Sequence, residues 1–84
     1  MKHPEWLGDR ERVERLLRRT GLMYAKSEQL KLMRLIIQYR YIQMMSVTET
    51  MMRLTYDDGI SISRSAYYRA FNKAIKILEK NETK

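Results

Sequence analysis

Between Ser61 and Leu78 the chain reads SISRSAYYRAFNKAIKIL, three serines and an arginine ahead of paired tyrosines, then a regular basic and apolar rhythm. Tyr67, Ala70, Phe71, Ala74, Ile75 and Leu78 recur at spacings of three and four, the inward stripe of a helix that Ser63 is suited to cap. Subtracting that stripe leaves Arg64, Ser65, Tyr68, Arg69, Asn72, Lys73 and Lys76 on the outer face. Those side chains suit double-stranded nucleic acid: Arg and Asn form paired hydrogen bonds to base edges, while Lys, Ser and Tyr reach phosphates. A recognition helix in the major groove reads bases with its first turns, where free N–H groups and the helix dipole also favour phosphate. The expected recognition helix covers about residues 63–79, and these seven are its expected DNA contacts. The plainer reading of the same face is ordinary solvated surface.

The charge is unevenly spread over the 84 residues, whose net is +7. Residues 1–26 carry seven basic and four acidic side chains (+3), 27–45 three and one (+2), 46–60 one and three (−2), and 61–84 six and two (+4). A basic balance favours a polyanion, although an acidic protein or an anionic surface would also satisfy it. With no cysteine and His3 as the one histidine, neither a disulfide framework nor a metal cage is expected, and no cofactor. No apolar run approaches the roughly 20 residues that cross a bilayer, and residues 1–20 are too charged for a signal peptide. A cytoplasmic protein with no membrane role is expected.

One all-α domain of four helices over 1–84 must position the basic face. The breakers are Pro4, Gly8, Gly21 and Gly59, and no alternation persists long enough for a strand. An N-terminal basic helix is expected over about 9–20, from Asp9 as N-cap to Gly21 as stop, burying Val13, Leu16, Leu17 and Trp6. A central helix follows over about 28–45 with a wide apolar band that includes Leu35, Tyr39 and Ile42. Ser46 and Glu49 stand in a capping-box relation at the start of a short third helix that "YDDG" ends. This third helix, a turn and the fourth make a helix-turn-helix over about 46–80. The Met-rich stretch Met44, Met45, Met51 and Met52 reads as core filling, because methionine adapts to irregular gaps; its functional reading is a groove for a partner.

"SVTETMMRL" followed by "ISRSAYYRAFNKAIKIL" resembles the C-terminal helix-turn-helix of sigma-factor region 4 and of small phage transcription regulators of the ArpU and RinA types. The matching residues are Ser46, Glu49 and Leu54, then Ile62, Ser63, Ser65, Tyr68 and Arg69, then Lys73, Ala74, Ile75 and Leu78. The likeness covers roughly residues 30–79 and takes in "LIIQYRYIQMM" ahead of the motif. It implies a phage or prophage regulator that binds promoter DNA in a bacterial host, with RNA polymerase as a further partner. A complete sigma factor is not expected. The chain departs from the pattern at "TYDDGIS", which puts seven residues between Leu54 and Ile62 where most relatives have a shorter join. Either the third helix is longer or the turn is expanded. Asp57 and Asp58, which would repel phosphate, are expected to point away from DNA or toward a protein contact.

No phosphate loop, nucleophile–base pair or metal-ligand cluster argues for an enzyme, and adjacent carboxylates before Gly59 read as a turn. The second functional reading is a protein-interaction module that binds host RNA polymerase or another acidic protein without reading DNA sequence; it rests on the small core, a Met-rich and Tyr-rich surface left exposed, and the long turn. Because one helix-turn-helix covers little DNA, a homodimer is the expected binding form, with Leu35, Tyr39 and Ile42 as its contact face. The alternating charges of "DRERVERLLRR" suit a solvated face; its functional reading is a second phosphate clamp or a dimer contact.

Overall fold

The computed structural model describes residues 4–82, so His3 lies outside the described residues. The protein is all-α, with helices α1 (Arg10–Arg19), α2 (Glu28–Ile37), α3 (Val47–Tyr56) and α4 (Arg64–Glu82), and no strand among the described residues. Asp9 caps α1 by accepting the Arg12 N–H at 3.2 Å, and Ser27 caps α2 by accepting that of Leu30 at 3.2 Å. At its far end α1 is closed by Thr20, whose hydroxyl donates to the Leu16 carbonyl at 2.8 Å. Gly21 then takes φ +79°, the left-handed conformation that turns the chain away cheaply only without a side chain. Short 3-10 turns at Glu5–Gly8 and Leu22–Tyr24 seat Leu7 and Leu22 in the core, and Trp6 packs half-buried against it.

The central helix differs from its expected course. It is α-helical only to Ile37, continues as a π turn over Gln38–Ile42, and stops before the expected end at 45. In the π turn the Gln43 N–H donates to the Gln38 carbonyl, five residues back, at 2.9 Å. The inserted residue rotates everything after it by about 100° relative to an unbroken α-helix. Within this turn Tyr39 meets the α3–α4 connection while Tyr41 meets α4. Met44, at φ +59°, ends the segment, and the Met45 N–H and carbonyl bond to the Tyr39 carbonyl and the Arg40 guanidinium.

α2 packs along α4, and α1 lies against α4 and the π turn. Val13, Leu16, Leu17, Met33, Ile36, Ile37, Leu54, Tyr67, Ala74 and Leu78 meet in one core. The face expected for dimerisation is partly covered within the chain: Leu35 is buried, whereas Ile42 packs half-buried against the core and half-buried Tyr39 bonds Asp58 through its hydroxyl. The methionines divide as well. Met45 and Met51 are half-buried, whereas Met44 and Met52 are 69% and 52% exposed and fill no core space.

Candidate nucleic-acid interface

α4 begins at the expected cap: Ser63 Oγ accepts the Ala66 N–H at 3.1 Å and the Ser63 carbonyl accepts that of Tyr67 at 2.9 Å. It runs to Glu82, past the expected end at 79, since neither Gly nor Pro follows Leu78. Six of the seven candidate contacts, Arg64, Ser65, Tyr68, Arg69, Lys73 and Lys76, are exposed, and Asn72 is half-buried. At about 100° per residue the seven occupy one half of the helix circumference, opposite Tyr67, Ala74 and Leu78. Arg64 and Lys76 are separated by about 18 Å along the axis at 1.5 Å per residue.

The two edges of this face have different neighbours. At one edge Arg64 Nη2 donates to Thr48 Oγ1 at 3.3 Å, which ties the first turn of α4 to the first turn of α3. At the other, Lys73, Lys76 and Ile77 border Gln29, Leu30 and Met33 of α2 around a groove of about 330 Å³. Neither lysine meets a carboxylate among the described residues within ion-pair distance.

Aromatic packing stiffens the helix beneath its exposed face. Tyr67 lies parallel to Phe71 with centroids 6.4 Å apart, Phe71 stacks on Tyr41 of the π turn at 6.1 Å, and Tyr68 stands edge-on to Tyr67 at 5.0 Å. Each such pair contributes about 0.5–1.5 kcal/mol beyond its buried area. Burial pushes the Tyr41 and Tyr67 hydroxyls above the usual phenol range, against the opposing pull of Arg40. Arg40 stands 5.2 Å from the Tyr41 ring centre. Tyr67 is core, as its place in the stripe requires, and Tyr68 is 45% exposed at the surface.

Both outcomes left open for the α3–α4 join occur. α3 extends through Tyr56, and the connection over residues 57–63 is still long. It folds back by way of Gly59 at φ +67°, with the Ile60 N–H donating to the Leu54 carbonyl at 2.7 Å and Ile60 packed on the core. Asp57 turns to Arg53 on α3 at 2.8 Å. Asp58 accepts the Tyr39 hydroxyl at 2.7 Å, which pins the connection to the central helix. Burial first, and then that hydrogen bond, push the Tyr39 hydroxyl up to about 12. At the start of α3, Ser46 Oγ accepts the Glu49 N–H at 3.1 Å and donates to the Glu49 carboxylate at 3.2 Å, so the two capping residues also meet side chain to side chain.

Sequence reasoning missed the Tyr39–Asp58 bond; the Met-rich and Tyr-rich surface invoked for the second functional reading lies on the outer face of α3, where Tyr56 is 79% exposed beside Met52. Met52 and Tyr56 are four residues apart and opposite Thr50 and Leu54, so a helical wheel of α3 alone would have placed them outward. On α1 the outer arginines are exposed, and Arg18 approaches Glu14 at 3.9 Å as one i, i+4 pair. No helix among the described residues is long and apolar enough to cross a membrane. Comparison with protein-family models, curated proteins and solved structures finds no match to this chain.

Proposed function

We propose that this chain is a phage- or prophage-type transcription regulator that binds double-stranded DNA, with α3 and α4 as its helix-turn-helix and α4 in the major groove. The observation that carries the reading is the exposed, cation-rich half of α4, on a helix whose opposite half is locked into the core. The likeness of residues 30–79 to sigma region 4 and to ArpU-type regulators supports it. Arg64, Arg69 and Asn72 are assigned to base edges, and Ser65, Tyr68, Lys73 and Lys76 to the sugar–phosphate backbone. Arg64 reaches a base by giving up one long hydrogen bond to an exposed threonine, a small cost against a charge-assisted contact. The carboxylates nearest α4 in sequence are engaged by Arg53 and Tyr39, which limits their freedom to oppose phosphate.

The test is selection of bound fragments from a random DNA pool near physiological salt, beside an Arg64→Ala, Arg69→Ala double variant. Enrichment of a defined motif by the parent chain and its loss in the variant is the expected result. Binding without enrichment, weakening with a slope of about −0.9 per neutralised phosphate in log–log salt plots, would reduce the role of α4 to charge attraction. Exposed Met52 and Tyr56 favour a second reading, a protein-interaction module for RNA polymerase or another protein. Under that reading the same double variant still retains polymerase in a pull-down while the DNA selection yields no motif.

A further inference from the structure

α1 holds five arginines against Glu11 and Glu14, a net of +3 with no lysine among the cations. At about 100° per residue Arg12, Arg15 and Arg19 fall within about 60° of one another on one flank, and all three are exposed. Glu11 and Glu14 lie to the side of Arg18, which meets Glu14 at 3.9 Å. The apolar side, Val13, Leu16 and Leu17, is at most 1% exposed and shares one core with Tyr67, Ala74 and Leu78 of α4. α1 thus packs on the inner side of α4. The outer faces of the two helices point to different sides of the domain, and a straight duplex lying along α4 stays clear of the α1 flank. We propose that Arg12, Arg15 and Arg19 form a second phosphate-binding surface, which holds the backbone of a second duplex segment without reading its sequence.

The chemistry of the flank selects DNA backbone over other polyanions. A protein interface is centred on apolar and aromatic anchors, and a helix lying in a membrane surface inserts its apolar side. α1 has no apolar side chain left for either, because the core consumes all three. It has no aromatic residue on which unpaired bases could stack. Phosphate contact needs only cations at suitable spacing. Arg12 to Arg19 spans about 10 Å at 1.5 Å per residue, and one strand of a duplex places a charge about every 3.4 Å along its axis, so the flank matches about three phosphates. Guanidinium also bonds phosphate oxygens in pairs, where an ammonium acts as a point charge. These three residues are separate from the seven assigned on α4, so phosphate binding by α1 does not depend on α4 reading DNA. Where α4 also binds, as proposed above, one chain bridges two duplex segments, and that bridging rests on the α4 reading.

Binding of full-length chains to a random-sequence duplex is measured by fluorescence anisotropy across a salt series, and circular dichroism verifies the helicity of each variant. A chain with its α4 face neutralised (Arg64→Ala, Arg69→Ala, Lys73→Ala, Lys76→Ala) should still bind. Adding Arg12→Gln, Arg15→Gln and Arg19→Gln should weaken that binding at least about tenfold and lower the log–log salt slope by about 2.7, at about 0.9 per phosphate. Arg12→Lys, Arg15→Lys and Arg19→Lys should keep most of the slope, because the attraction follows charge. In the parent background the three glutamines should abolish capture of a second, labelled duplex by chains bound to an immobilised one, and leave the motif selected by α4 unchanged. No binding once α4 is neutralised, an affinity and slope that the glutamines do not alter, an equal loss in the lysine variant, or capture that persists without the arginines would overturn the proposal. Displacement by polyglutamate as effective as by duplex at equal charge would overturn it too, and give the flank to an acidic protein. Because the first measurement is made with α4 neutralised, α1-dependent binding without a selected motif counts against the α4 reading alone, and a selected motif without α1-dependent binding counts against this one alone.

Discussion

The bond from the Tyr39 hydroxyl to Asp58 closes the long connection onto the central helix, and its removal tests whether that contact holds α4 in place. A hydroxyl donating to a carboxylate at 2.7 Å is charge-assisted. Such bonds contribute about 1.5–3 kcal/mol net, and both residues here are half-buried, which puts this one at about 1.5 kcal/mol. In a cycle of Tyr39→Phe, Asp58→Ala and the double variant, urea unfolding should return a coupling energy of about 1.5 kcal/mol. With a slope near 1 kcal/mol per molar for so small a chain, Tyr39→Phe lowers the midpoint by about 1.5 M.

The pH response gives an independent reading of the same bond. The tyrosine hydroxyl titrates near 10.0 when unfolded and is pushed up to about 12 in the folded chain, so folding favours its protonated form. The associated stability is present in full below pH 10 and is lost as pH rises through 12. Two pH units correspond nominally to about 2.7 kcal/mol, and screening at a partly open site reduces this to about 1 kcal/mol. Tyr41 and Tyr67 are raised by burial too, so the alkaline loss becomes shallower in Tyr39→Phe without vanishing. A coupling within about 0.3 kcal/mol of zero, or the same alkaline loss in both proteins, would refute the reasoning.

Two further substitutions probe the elements around the site. Thr50 is fully buried and its hydroxyl has no hydrogen-bond partner, so the near-isosteric Thr50→Val should raise stability by about 1 kcal/mol; a loss in thermal unfolding would show that the hydroxyl is satisfied. Met44 holds φ +59° with its side chain in solvent, and Met44→Gly relieves that conformation for a net gain of up to about 1 kcal/mol, measured by urea midpoint. An unchanged or lowered midpoint there would mean that the methionine side chain contributes more than its exposure indicates.

Local chemistry was legible in the sequence because its causes act over a few residues. Asp9, Ser46 and Ser63 each cap the helix that follows, and the three-and-four spacing from Tyr67 to Leu78 marks the buried side of α4. A cap needs only a side-chain oxygen beside a free N–H, and a stripe needs only helical period, so neither depends on a distant neighbour. The basic outer face followed by subtraction. For the same reason the Gly21 stop was visible: a left-handed residue is a property of one position.

Which apolar surface is consumed, and which is left, was decided by tertiary packing. The band Leu35, Tyr39 and Ile42 is as apolar in sequence as an exposed dimer face, yet Leu35 is buried, Ile42 packs half-buried against the core, and the Tyr39 hydroxyl bonds the long connection. Met44 and Met52 have the same composition as core methionines and stand in solvent, because no helix lies over them. The π turn could not be read from propensity, because a hydrogen bond reaching five residues back, from Gln43 to Gln38, demands no distinctive residue type. Residues 57–63 read as a loop from Asp57, Asp58 and Gly59, but only the Tyr39–Asp58 contact determines where that loop lies. Periodicity along a chain specifies which side of a helix faces inward; what meets that side depends on contacts between residues far apart in sequence, and those form only when the chain folds.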